Sequence, residues 1–195
     1  MASYKGVNGA LVALEDFFKN RLPEELKQGD INARVVLLGS ADVAKKITGN
    51  VLGIYLHRMT IDPHGRNRYF PPQGTNNEEP QTELPVNLHF FLISSAASAT
   101  IEADLMSWAM VELANEGQLD VSHIAEVDTT WGEREVLTIT PEEISTEDLM
   151  RIWDVFEAKY TNTVPYVART VRLRLQAQRS EGPPVITRIF PGGTL

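Results

Sequence analysis

Residues 144–176 read ISTEDLMRIWDVFEAKYTNTVPYVARTVRLRLQ, and the apolar period changes inside them. Ser145 precedes Asp148 at capping-box spacing, with Asp in place of the usual Glu. Ile144 and Leu149 are placed to close a hydrophobic staple across that cap. Leu149, Ile152, Trp153 and Phe156 then fall on one helical stripe. Pro165 ends any continuation, because the residue before proline disfavours helical geometry. From Tyr166 the pattern alternates. Val167, Arg169, Val171, Leu173 and Leu175 are expected on one side, with Tyr166, Ala168, Thr170, Arg172 and Arg174 on the other. The stretch therefore predicts a capped helix, a tight connection and a long strand.

Two further stretches complete the frame. Residues 6–22, GVNGALVALEDFFKNRL, predict a helix over 7–21 with Val7, Leu11, Leu14 and Phe18 on one face and Phe17 widening it. Residues 83–113, ELPVNLHFFLISSAASATIEADLMSWAMVEL, predict a strand over 84–94 and a helix over 100–116. In that strand Val86, Leu88, Phe90 and Leu92 share one face, and His89, Phe91 and Ile93 the other, so both faces are covered. The helix carries Ile101, Leu105, Trp108, Ala109 and Leu113, with Gly117 as its C-cap.

These three stretches together resemble the cap, or tail-terminator, proteins of phage-tail-like contractile injection systems. The features shared are the Trp-bearing helix after I-S-x-E-x-L, the Pro/Tyr entry to a final strand, the opening helix and the central strand–helix unit. The resemblance implies a non-enzymatic structural protein without cofactor. It implies a ring of identical copies, matching a sixfold tube, with the inner-tube and sheath proteins as partners.

The remaining segments fill in a mixed sheet. Ala33–Leu38 and Val51–Ile61 read as strands, the second carrying Leu52, Ile54 and Leu56 and, less cleanly, Arg58 and Thr60. Pro23 with Glu24 and Glu25 marks a short helical turn, and residues 40–50 a polar connection. A long polar loop is expected over 66–83, and strands over 121–127 and 133–140 around Trp131. The fold class is α+β: a mixed β-sheet with two main helices packed on a face, as in phage tail terminators. Residues 1–178 form that domain. Residues 179–195 follow Gln178 as an extended arm or a last strand, with Gly182-Pro183-Pro184 setting off Val185–Phe190.

Composition limits the function classes. The 195 residues are 43% apolar and 23% charged, ordinary for one globular domain. A net charge of −8 argues against a nucleic-acid partner. No apolar run approaches the roughly 18 residues of a membrane span, so no membrane partner is expected. MASYKGVNGA has no basic region followed by an apolar core, so synthesis in the cytoplasm is expected, before assembly into a particle that lysis can release. The absence of cysteine excludes disulfides and thiol chemistry.

Charge is placed unevenly. Residues 69–132 hold ten acids and no Lys or Arg; from Pro165 onward stand five Arg and one acid, Glu181. Unlike faces of this kind can meet head to tail in a heterologous ring.

Catalytic patterns are missing. There is no G-x-x-x-x-G-K-[ST], although Lys45-Lys46 follow Gly39; nor is there a G-x-G-x-x-G or a G-x-S-x-G. Ser94-Ser95 end a strand with no base assigned by pattern. His57 and His89 can meet on adjacent strands, with Asp62 and His64 nearby. A strand histidine and a turn histidine are the simpler reading, and no metal is expected. Glu142 and Glu143 are adjacent acids that suit the start of the helix after Ser145. The candidate interface residues are Trp131, Arg66, Arg68, Arg172, Arg174, Arg188, Ile189 and Phe190. Trp131 suits an interface anchor or a turn folded over its own sheet. Arg66 and Arg68, with Arg58, flank the long loop. The competing function class is a small-molecule-binding or enzyme-subunit α+β domain, or another tube or baseplate adaptor.

Overall fold

The computed structural model describes residues 2–62, 83–119 and 136–174. The expected strand over 121–127, the turn at Trp131, the loop over 66–82 and the arm over 179–195 lie outside them.

Chain order begins with α1 (Gly6–Arg21), α2 (Glu24–Lys27), β1 (Arg34–Leu38), α3 (Ser40–Val43) and β2 (Val51–Ile61). It continues with β3 (Glu83–Ser95), α4 (Ala99–Glu116), β4 (Gln118–Leu119), β5 (Leu137–Pro141), α5 (Thr146–Val155) and β6 (Thr163–Arg174). The described strands form one sheet in the order β1-β2-β3-β6-β5-β4. β1 and β2 run parallel and the other neighbours antiparallel, so the sheet is mixed and the class α+β.

The helix ends follow from local chemistry. At α4, the Ser98 side chain accepts from Thr100 N–H, and Gly117 closes the other end at φ 58°. That left-handed position strains any residue with a Cβ. At α5, Ser145 Oγ accepts from Asp148 N–H at 3.1 Å. Its hydroxyl also donates to the Asp148 carboxylate at 2.7 Å, so N-cap and N3 side chains are joined directly.

Both faces of the sheet are covered, as the double-sided β3 requires. On one face, α1 and α4 pack over Leu52, Ile54, Leu88, Phe90, Leu92 and Val171 in the larger core. On the other, α5 presses Trp153 against Tyr55, Phe91 and Ile93, with Ile144, Leu149, Ile152 and Phe156 around it. The two longest helices thus share one face, and α5 occupies the opposite one. Trp108 is half-buried, its ring edge-on to Phe18 at 5.6 Å.

Four details differ from expectation. The buried stripe of α1 includes Gly9, Ala10 and Ala13, while Leu11 is only half-buried. Small residues let the helix approach the sheet closely. The alternation of β6 is not continuous: Val86 pairs with Val171 but Leu88 with Ala168, so β6 holds one extra residue there. That bulge reverses the side-chain parity. The core face consequently carries Tyr166, Ala168 and Val171, with Leu173 packed against it, rather than Val167 and Arg169. A second bulge interrupts β2, where Leu56 pairs with Phe90 and Arg58 with His89. Finally, β4 is a two-residue strand with no sequence signal of its own.

Candidate interaction surface

The bulge in β2 builds the main polar cluster of the described chain. His57 and Arg58 both turn toward the face that carries α5. His57 stacks on Phe91 with centroids 4.0 Å apart and planes at 11°. His89 Nδ1–H donates to Glu142 Oε1 at 2.8 Å, and His89 Nε2 shares a hydrogen bond of 2.8 Å with the Thr60 hydroxyl. Arg58 donates to the same Glu142 oxygen at 2.9 Å. The second carboxylate oxygen faces His57 Nε2 at 3.9 Å.

The electrostatics follow from burial. The His57 side chain is 7% exposed. Burial pushes its imidazole down to about 4 from its ordinary 6.5, against the pull of the Glu142 carboxylate and with help from Arg58 and His89. His57 is therefore neutral at neutral pH. A cleft of about 430 Å³ opens beside the cluster, lined by His57, Arg58, Glu142, Glu143, Ser145 and Asp148 among others.

Chemically, the cluster ties the β5–α5 connection to β2 and β3. The order hydroxyl, imidazole, carboxylate resembles a proton relay, yet Thr60 and His89 do not line the cleft. Among the described residues, no three His, Asp or Glu side chains are grouped to hold a metal. Ser94 is fully buried and its hydroxyl accepts from Asn162 Nδ2 at 3.3 Å. Ser95 Oγ donates to Ile47 O at 3.3 Å. Both serines are occupied in holding loops to the end of β3.

Arg172 lies in β6 opposite Pro85, and its carbonyl accepts from Ala2 N–H at 3.0 Å. Arg174 pairs in register with Glu83 at the end of the sheet. Trp131, Arg66, Arg68, Arg188, Ile189 and Phe190 lie outside the described residues, as do His64 and His123. The sequence reading missed Glu142, which it assigned to the start of α5, and left Arg58 between contact with acidic neighbours and solvation; in the fold Arg58 contacts Glu142. The one available signal was the loss of clean alternation after Leu56.

A family model described as the Pvc16 N-terminal domain matches residues 11–187. The chain belongs to the Pvc16 N-terminal domain family. Among solved structures, it is similar to the PVC sheath/tube terminator of an extracellular contractile injection system in the extended state. That likeness has a TM-score of 0.59 at 13% identity, covering 97% of this chain and 64% of the other. At that identity the likeness establishes the fold, and this family member spans a little under two thirds of that terminator's length. A second similar structure is the anti-feeding prophage cap, the AFP tube terminating cap, at TM-score 0.46 and 14% identity, with 73% of this chain and 49% of that one covered. No curated protein matches the sequence. Among the described residues, no helix is long and apolar enough to cross a membrane.

Proposed function

We propose that the chain is the capping part of a contractile injection particle, closing the end of the inner tube and holding the end of the sheath. Copies act as a ring matched to the tube's symmetry, sixfold in the simplest case. Bound to the last tube ring, such a cap ends further addition. Bound to the last sheath ring, it keeps the sheath fixed to the tube end. The observation supporting this reading most strongly is the family match over 11–187 combined with a terminator-like fold across 97% of the chain.

The reading asks for no chemistry. Shape, strand edges and charge suffice for the attachment of one ring to another. The buried polar cluster fits a non-enzymatic role, since Arg58, His89 and Glu142 tie the β5–α5 connection to the sheet. Residues 179–195 are assigned as the arm that reaches a neighbouring subunit. The particle is assembled where the chain is made and acts outside the cell after release.

The test is tube growth. Inner-tube protein from the same particle is polymerised with increasing amounts of this chain. Capping predicts tubes that shorten as the ratio of chain to tube protein rises. Tube lengths independent of the added chain would remove the proposal.

A further inference from the structure

β1 is an edge of the described sheet and pairs with β2 alone. Arg34 N–H donates to Asn50 O at 3.0 Å, on the β2 side. Backbone groups alternate along a parallel strand, so Val35 and Leu37 turn their N–H and C=O groups outward. An edge of this kind is a template for another strand.

A cleft of about 340 Å³ lies beside it, and a second of about 380 Å³ adjoins the first through the shared Lys45, Lys46 and Ile47. The first follows β1 from Arg34 to Leu38. The second continues to Trp153 and Lys159. Two acids also line this groove, Asp42 and Glu157. The Asp42 carboxylate already accepts from Gly39 N–H at 2.9 Å. Arg34 is held by the Thr48 carbonyl at 3.4 Å. The three lysines have no hydrogen bond or ion pair from their side chains among the described residues. They gather on one side of a chain whose net charge is −8. Trp153 is 3% exposed and forms part of the wall, and among the described residues its Nε1–H has no acceptor. Val43, Ile47 and Ala158 supply an apolar floor.

We propose that the outer edge of β1, with this basic groove, receives an extended acidic strand from a partner protein. The inference rests on the reading of the chain as a docking component. It adds which edge is used and what kind of strand fits. A strand laid along β1 would satisfy the outward groups of Val35 and Leu37, while its acids would meet Lys45 and Lys46. The same lysines repel basic strands, so the groove selects by charge as well as by backbone. The Arg-bearing residues 179–195 of another copy are therefore disfavoured here.

The test uses a fluorescein-labelled peptide of alternating Glu and Val, with a Lys–Val peptide as its control. Fluorescence anisotropy with the full chain should show saturable binding of the acidic peptide alone, weakening as salt rises. Lys45→Glu combined with Lys46→Glu should lower the affinity about tenfold or more, with an unchanged melting temperature. Hydrogen exchange followed by NMR should show Val35 and Leu37 amides gaining protection when the acidic peptide binds. Equal binding of both peptides, no saturable binding, or full affinity in the double variant would each overturn the proposal. Unchanged exchange at Val35 and Leu37 would overturn strand addition. Peptide binding without any effect of the chain on tube length would leave this site standing and remove the capping reading instead. Capping without peptide binding would do the reverse.

Discussion

His57 Nε2 and Glu142 Oε2 face each other across 3.9 Å, and among the described residues neither buried atom has a hydrogen-bond partner. Too far apart to bond, the pair leaves a neutral imidazole buried beside a carboxylate whose other oxygen carries the cross-strand network.

That arrangement makes stability depend on pH. Folded, His57 takes up a proton only near about 4; its ordinary value is 6.5. Between these two values the unfolded chain binds more protons, so folding stability rises with pH. The contribution is complete above the unfolded value and is lost as pH falls through the folded one, up to about 3 kcal/mol. His57→Phe keeps a ring on Phe91 and should flatten this part of the curve. Urea midpoints measured from about pH 4 to 7 check it; an unaltered slope in the variant would assign the dependence to other groups.

Trp153 is the centre of the contact between α5 and the sheet, 3% exposed and packed in the smaller core. Trp153→Ala should cost about 3–5 kcal/mol. Chemical denaturation or loss of soluble yield will report it. A variant that melts normally would mean that α5 adds little to the fold.

The capped helix was open to view in the sequence because its signals are local. Ser145, Asp148 and the stripe through Trp153 all lie within one short stretch. The double-sided burial of β3 was equally plain, since Phe90 and Phe91 leave no polar face. The parity of β6 was not, because its bulge is seen only against β3, in the offset between Val86–Val171 and Leu88–Ala168. For the same reason the role of Glu142 was hidden. It depends on a bulge in β2 that turns Arg58 toward His89, two strands that meet only in the fold. In α1, Gly9, Ala10 and Ala13 carry little hydrophobic signal of their own, yet they set how closely the helix lies on the sheet.

Association of copies should respond to salt. Residues 69–132 are acidic without a single Lys or Arg, and the other segments hold all 18 basic residues. Screening shortens from about 10 Å at 0.1 M salt to about 3 Å at 1 M. Light scattering should record smaller assemblies at the higher concentration. A mass that stays constant would point to apolar contacts between copies or to a monomer.

Removing residues 183–195 separates arm from core. If the segment serves a neighbour, the truncated chain should melt within a few degrees of the full one and fail to form rings. A truncated chain that does not fold would place the segment in the sheet of its own subunit.

The most direct measurement of the capping claim is negative-stain microscopy of purified chain with preassembled inner tubes. The account predicts ring-shaped density closing one end of each tube, absent when the chain is omitted. Chain bound along the tube walls, or tubes with both ends bare at saturating chain, would contradict it.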